Sequence, residues 1–353
     1  MRVVNVMISK VRGGVEQASI DYANALASRG HDVLFVADKR GKTAPDIPST
    51  ERIERCFIRF NRWNFFLLFP LFAKLKAFRP DVVVVHSKKA VGLFKILARL
   101  FGIKIVAVAH NPKLKEIDRA DAVFSITQYQ KDIFVQKGLK AENVFVVPNM
   151  IGDDRPFKPL PPFRDPPVIG VIGRFDPMKG FTDFVRALGI LKKKGVPFKG
   201  LIGGAPVGRD QKEYDAICSL IGELGLQDDV AMAGWFADKD AFYEQIDVFV
   251  LSSNYEPFGI VLLEAMVRSK PVVSSLAEGP AEIFADNDVA YTFPVRDFNA
   301  LAERLETALS DFGQTARKAE DGYRLVRNRY LSAKVAEVLE NALSRVTGIS
   351  GKP

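Results

Sequence analysis

The sequence predicts an α/β protein built from two doubly wound domains. Three observations carry that expectation. At 353 residues the chain is long enough for two domains, each with its own core. Short apolar runs rich in Val and Ile alternate along the chain with segments of helical periodicity, the pattern of parallel sheets covered on both faces. Residues 152–167 hold six prolines and separate two such series. The expected organisation is a first domain over 1–151, a stiff linker over 152–167, a second domain over 168–331 and a last helical segment over 332–353.

Composition narrows the class. Forty-eight per cent hydrophobic and 26 per cent charged residues are ordinary for a globular protein. Cys56 and Cys218 lie far apart and form no CxxC, so a disulfide framework is not expected and a reducing, cytoplasmic setting is. Three histidines without a Cys/His cluster argue against structural zinc. The chain enters a strand at once, so no signal peptide is expected, and no apolar run approaches the roughly 18 residues of a membrane span. Charge is uneven. Residues 1–160 hold 27 Lys and Arg against 15 Asp and Glu, a net +12, which leaves −4 for the remainder of a chain whose total is +8. A basic half suits an anionic partner.

In the first domain, residues 2–9 alternate as a strand and run into Lys10-Val11-Arg12-Gly13-Gly14-Val15-Glu16 and a helix to about residue 28. The dinucleotide fingerprint GxGxxG is absent. Gly13 and Gly14 nevertheless stand at the carboxyl end of the first strand, where open α/β sheets bind ligands. His31 precedes the strand 33–37 and is explained by turn chemistry. Residues 52–79 interleave Phe57, Phe60, Trp63, Phe65, Phe66, Phe69, Phe72 and Phe78 with Arg and Lys, and the stretch suggests an interfacial segment on an anionic membrane. A Phe-rich core helix is the plainer reading, and Pro70 is expected to break or kink any helix there. No nucleic-acid module accompanies the basic residues. The unbroken run 81–85 is a buried strand ending at His86, and 104–109 is another, ending at His110-Asn111. Strands at 121–125 and 144–147 complete the series, the last running into Pro148-Asn149-Met150.

In the second domain, strand 168–173 leads into Gly173-Arg174-Phe175-Asp176-Pro177-Met178-Lys179-Gly180 and a helix. Arg174 and Lys179 are two fixed cations beside helix amides, an arrangement that suits a diphosphate as well as it suits an ordinary basic surface. Further strands are expected at 198–204, 230–233 and 270–275, and the chain is helical from about residue 301. Asp286-Asn287-Asp288 spells DxD but falls in a turn, so no metal site is expected.

The most informative stretch follows the strand 247–251: Ser252-Ser253-Asn254-Tyr255-Glu256-Pro257-Phe258-Gly259-Ile260, opening a helix that carries Glu264. The first amides of that helix, near Phe258, Gly259 and Ile260, have no intrahelical partner and are expected to point at an anion held in the loop. Eight residues of helix span about 12 Å, while glycosidase carboxylate pairs sit roughly 5–9.5 Å apart, which disfavours Glu256 and Glu264 as acid and base. Hydroxyl recognition, with one carboxylate on a sugar and one on a ribose, fits a nucleotide-sugar. A helix with acidic residues near its start explains the same spacing without a ligand.

Glu256 through Glu264, with its Pro-Phe-Gly, resembles the E-x7-E motif of the retaining glycosyltransferases of family 4, which have the GT-B fold of two Rossmann-like domains facing a central cleft. Further segments are similar to that family: Gly13-Gly14-Val15-Glu16, His110, Pro148-Asn149, Gly173-Arg174 to Lys179-Gly180, and Glu278-Gly279-Pro280-Ala281-Glu282 with Glu278 in place of a glycine. Asn111 stands where the family more often has Asp, and Met150 where it has Gly. The resemblance implies a retaining, metal-independent hexosyltransferase. The first domain would bind the acceptor, the second the nucleotide-sugar, and residues 332–346 would return to the first domain. His110, Glu256, Arg174 and Lys179 would be catalytic. Gly13, Gly14, Arg174, Lys179, Phe258, Gly259, Ile260 and Glu264 would bind the donor, an NDP-sugar with UDP ahead of GDP or ADP, with no separate cofactor. The acceptor implied by charge is an anionic, lipid-linked glycan such as lipopolysaccharide core. The enzyme would then work peripherally on the cytoplasmic face of an inner membrane, through residues 52–79. A sugar-nucleotide epimerase of the same fold and a non-catalytic membrane-associated protein with a degenerate site are the alternatives.

Overall fold

The computed structural model describes residues 1–10, 13–59, 69–206 and 211–349. The chain forms two compact units, Met1–Gly152 with Arg329–Pro353, and Asp153–Asn328.

The first unit is built on seven strands: β1 (Arg2–Met7), β2 (Asp32–Asp38), β3 (Ile53–Ile58), β4 (Val82–Val85), β5 (Lys104–Ala109), β6 (Ala122–Ser125) and β7 (Val144–Val146). They are ordered β3-β2-β1-β4-β5-β6-β7 and every neighbouring pair is parallel. The strand period of two sorts side chains between the faces. Val3 and Met7 of β1, with Val33, Phe35 and Ala37 of β2, join a core beneath α1 (Gly14–Ser28) and α12 (Ser332–Thr347), whose Val335, Leu339 and Leu343 are fully buried there. Val4, Val6, Leu34 and Val36 join the opposite core beneath α2 (Phe69–Phe78) and α3 (Lys88–Phe101), with Leu71, Leu75, Ala90, Phe94 and Leu97. Helices on both faces explain why these strands read as near-continuous apolar runs.

The expected interfacial segment 52–79 divides differently. Ile53–Ile58 is the edge strand β3, with Ile53 and Ile58 buried and Glu54 and Arg55 exposed between them. Pro70 is the second residue of α2 as described, a place near a helix start where its missing N–H is no loss, and the helix continues from it to Phe78. Lys74 is ion-paired to Glu54. Phe60, Arg62, Trp63, Phe65 and Phe66, and Val11 and Arg12 of the first loop, lie outside the described residues.

The second unit has six strands: β8 (Val168–Phe175), β9 (Lys199–Pro206), β10 (Val230–Gly234), β11 (Val248–Leu251), β12 (Val272–Ser275) and β13 (Tyr291–Phe293). Their order is β10-β9-β8-β11-β12-β13, again all parallel. The core joins Ile169 and Val171 of β8 with Phe181, Phe184, Leu188 and Leu191 of α5 (Phe181–Lys193) and Leu301, Ala302 and Leu305 of α10 (Phe298–Ser310). Chain order reverses between β1 and β4 in one sheet and between β8 and β11 in the other. Loops leaving the carboxyl ends of those strands diverge, which opens a crevice for a ligand.

Candidate active site

The loops after β8 and β11 are held together at the reversal point of the second sheet. After β8, the Asp176 carboxylate accepts the Met178 amide at 3.0 Å, which starts the short 3-10 turn Pro177–Lys179. Gly180 ends that turn at φ +63°, and a Cβ there would lie 2.0 Å from the Ser252 carbonyl oxygen. The Asn254 amide donates to the Met178 carbonyl at 2.8 Å, and the Ser252 hydroxyl donates to the Lys179 carbonyl at 3.0 Å. From the far side, the Gly279 amide donates to the Glu256 carbonyl at 2.9 Å. A Cβ on Gly279 would fall 2.4 Å from the Phe258 Cα, so α9 (Glu278–Phe284) approaches the loop backbone as only glycine permits. Ser275 of β12 donates its hydroxyl to the Ser253 carbonyl at 2.6 Å.

This frame sets the charged groups. Lys179 donates to the Glu256 carboxylate at 2.6 Å, and both side chains are largely buried. Arg174, at the end of β8, is exposed and makes no ion pair among the described residues. Glu264 sits in α8 (Ile260–Met266) and is buried. Its carboxylate is ion-paired to Lys239, at the start of α7 (Lys239–Tyr243). The buried Tyr243 hydroxyl donates to the Val261 carbonyl at 3.0 Å, and desolvation pushes that phenol well above its ordinary range. Arg268 stacks over the Tyr243 ring at 5.0 Å and donates to the Glu264 carbonyl at 2.9 Å. The wall behind Glu264 is therefore rigid, while Lys239 is half exposed. Phe258 and Gly259 precede a helix of seven residues, too short for a large macrodipole, so an anion there would depend on individual N–H groups and on the two cations. Trp235 after β10 is 61 % exposed.

In the first unit, Gly13 caps α1 in extended conformation at φ −172°, and Gly14 is the first helical residue. His110 follows β5. Its Nε2 lies 3.2 Å from Nδ1 of His86, the two rings stack at 5.4 Å, and His86 Nε2 lies 3.0 Å from the Asn5 side-chain oxygen. Burial, and then the nearby Lys88 ammonium, lowers the His110 pKa to about 4. Burial, and then His110, lowers that of His86. Lys88 itself is lowered to about 8 by burial and the neighbouring Lys113, and it donates to the Asn111 side-chain oxygen at 2.8 Å.

The structure thus brings Lys179 to Glu256 and gathers Phe258, Gly259, Ile260 and Glu264 on one loop and helix. His110, Gly13 and Gly14 belong to the first unit. Sequence reasoning missed Lys239, Tyr243, Asn5 and the partnership of His86. Asn5 left a trace, a polar residue inside the run Val3-Val4-Asn5-Val6.

Residues 12–155 match the family described as Glycosyltransferase Family 4, and residues 153–324 match Glycosyl transferases group 1. The lipopolysaccharide core biosynthesis glycosyltransferase LpsE of Rhizobium meliloti (strain 1021) is 30 % identical over 318 residues, 88 % of this chain and 90 % of that one. The chain belongs to the family 4 glycosyltransferases. The enzyme also shares the fold of a solved glycosyltransferase from Rickettsia africae ESF-5, with a TM-score of 0.84 and 20 % identity over 99 % of both chains. Anabaena Alr3699/HepE in complex with UDP and glucose superposes at a TM-score of 0.79, with 22 % identity over 98 % of this chain and 99 % of that one. The transferase is therefore of the GT-B fold.

The close approach at Gly180 yields a test. Gly180→Ala is expected to displace the loop after β11 and weaken nucleotide binding at least about tenfold, since it combines a left-handed alanine costing roughly 1–2 kcal/mol with a steric clash. Gly195, at φ +72° with nothing within 4 Å of its would-be Cβ, supplies the control. Gly195→Ala should cost stability of similar backbone origin without affecting nucleotide affinity. Calorimetric titration of both variants with UDP checks this, and equal affinities would show that the contact at Gly180 does not shape the site.

Proposed function

We propose that the enzyme is a retaining, metal-independent hexosyltransferase. It moves a hexose from a nucleotide-diphosphate sugar, UDP ahead of GDP or ADP, to a membrane-associated glycan or glycolipid such as lipopolysaccharide core. The observation that carries the reading is the fixed array of Lys179, Glu256 and Glu264 on two interlocked loops at the reversal point of the second sheet. Glu264 holds the ribose and Glu256 the sugar hydroxyls. Arg174, Lys179 and the amides near Phe258, Gly259 and Ile260 stabilise charge that grows on the departing diphosphate. Preorganised donors of this kind contribute several kcal/mol to a transition state. His110 contacts the sugar near its reacting carbon, and Gly13 and Gly14 leave room for the donor.

The carbon–oxygen bond to the diphosphate breaks, and the acceptor oxygen bonds to the same face of that carbon. The acceptor hydroxyl proton passes to the departing phosphate oxygen. No carboxylate is assigned as a covalent nucleophile, and the two cations fill the role a metal ion has elsewhere. The donor reading draws support from the UDP and glucose named with HepE, and the acceptor reading from the pathway named with LpsE.

Contact with an anionic membrane, on the cytoplasmic face of the inner membrane, is the second part of the proposal. No helix among the described residues is long and apolar enough to cross a membrane. On α3, Lys89, Leu93, Ile96 and Leu100 fall on one face, and Ile96 and Leu100 are 53 % and 68 % exposed. Phe72 of α2 is 39 % exposed and meets the Phe101 ring at 5.2 Å, which joins the two helices. Lys76, Arg79 and Arg99 are exposed on the same pair of helices and their flanks. Apolar side chains ringed by cations suit an anionic bilayer surface.

Two measurements test these parts. A panel of UDP-, GDP- and ADP-sugars should yield one base bound by wild type and at least tenfold more weakly by Glu264→Ala, the loss of a charged hydrogen bond to ribose. A site indifferent to Glu264→Ala would refute the ribose assignment. In flotation with phosphatidylglycerol-containing vesicles, the Ile96→Ser/Leu100→Ser variant should remain in the soluble fraction while wild type floats. Equal flotation would remove α3 from the contact.

A further inference from the structure

A polar side chain buried in a strand must be hydrogen-bonded or cost several kcal/mol. Asn5 lies mid-strand in β1, fully buried between Val4 and Val6. Its amide nitrogen donates to the Ser19 carbonyl of α1 at 2.8 Å, which leaves its oxygen facing His86 Nε2 at 3.0 Å. An amide oxygen only accepts, so His86 Nε2 carries the hydrogen. A neutral imidazole has one N–H, so His86 Nδ1 holds a lone pair. That lone pair faces His110 Nε2 at 3.2 Å, which must therefore be the donor of that bond. The hydrogen of His110 is then fully used inside the protein, and Nδ1, for which no hydrogen bond is seen among the described residues, is an acceptor.

We propose that Asn5 and His86 are positioning residues that lock His110 as the neutral Nε2–H tautomer, so that His110 recognises the donor sugar by accepting a hydrogen bond from a sugar hydroxyl at Nδ1. The inference rests on the assignment of His110 to the donor sugar above. It gives that residue a definite chemistry. His110 cannot donate to the departing phosphate or protonate it, which leaves that work to Arg174 and Lys179. It also places a neutral ring beside a carbon that becomes cationic in an oxocarbenium-like transition state, where an imidazolium would repel it. The surroundings agree. Tyr22 of α1 packs edge-on against His86 at 4.8 Å, while Lys88 of α3 disfavours positive charge on His110. Among the described residues, Tyr22 and Lys88 are the titratable side chains found against the pair from the packed helices.

The chain has three histidines, so their ring nitrogens can be resolved individually. Long-range 1H–15N correlation spectra of the free, 15N-labelled enzyme at pH 7, assigned with His31→Gln and His86→Asn, should show hydrogen on Nε2 and none on Nδ1 for both His86 and His110. A hydrogen on Nδ1 of His110, or a cationic His110 ring, overturns the proposal without any assay of activity. In transfer assays, His86→Leu removes the acceptor and should lower kcat/KM about tenfold, the scale of one neutral hydrogen bond, with UDP affinity unchanged. His86→Asn keeps an oxygen near the place of Nδ1 and should restore most of that loss. Equal losses in the two variants would mean that His86 only fills space. If the tautomers are as stated but His110→Ala transfers at the wild-type rate, it is the assignment of His110 to the sugar that fails.

Discussion

The backbone contact between Gly180 and Ser252 is the constraint on which the donor-side architecture depends. Two loops from neighbouring strands pass so closely that a single added carbon would sit 2.0 Å from a carbonyl oxygen. That proximity lets the Asn254 amide and the Ser252 hydroxyl satisfy carbonyls of the turn before Gly180. It also brings a lysine from one loop against a carboxylate of the other. Gly279 repeats the device on the opposite side, where α9 meets the Phe258 backbone. A loop pinned at both flanks has little freedom left to lose on binding, which is how a preorganised site avoids an entropic cost.

Charge placement follows from that frame. Glu256 and Glu264 are both buried, and a buried carboxylate is costly unless paired. Each has a lysine: Lys179 for Glu256, Lys239 for Glu264. A ligand with hydroxyl groups for the carboxylates and phosphates for the cation would replace these internal pairs with its own contacts. Breaking these pairs is part of the cost of binding, smaller at Lys239, which is half exposed, than at the largely buried Lys179–Glu256 pair, and the ligand's own contacts must replace both. The first unit applies a different solution to a buried polar cluster. Asn5, His86 and His110 stay neutral and satisfy one another in a row, at the point where the order of the first sheet reverses.

Much of this was legible in the sequence. The Val-rich runs 3–6, 82–85 and 248–251 announce buried parallel strands because both faces of such strands are covered. Glu256 to Glu264 and Arg174 to Lys179 were visible because their glycines and prolines mark strand-to-helix turns. The edge strand β3 was not visible, since Glu54 and Arg55 face solvent there and an edge strand has half the neighbours that enforce a pattern. Lys239 and Tyr243 lie on a helix of five residues, too short to leave a periodic signal, and only three-dimensional packing brings them to Glu264. Glu278 read as a departure from the family's glycine. In the structure its carboxylate accepts the Glu256 amide at 3.3 Å, a bond no glycine could supply.

The division of labour between Lys179 and Glu256 is the centre of the account, and binding thermodynamics of Glu256→Gln tests it most directly. Affinities would be measured for the best-bound nucleotide-sugar and for its bare nucleotide diphosphate. Removing the carboxylate frees Lys179 for phosphate, so the bare diphosphate should bind as tightly as to wild type or tighter. The extra affinity conferred by the sugar should disappear. Loss of diphosphate binding with the sugar's contribution intact would contradict the assignment of Glu256 to the sugar and Lys179 to the phosphates.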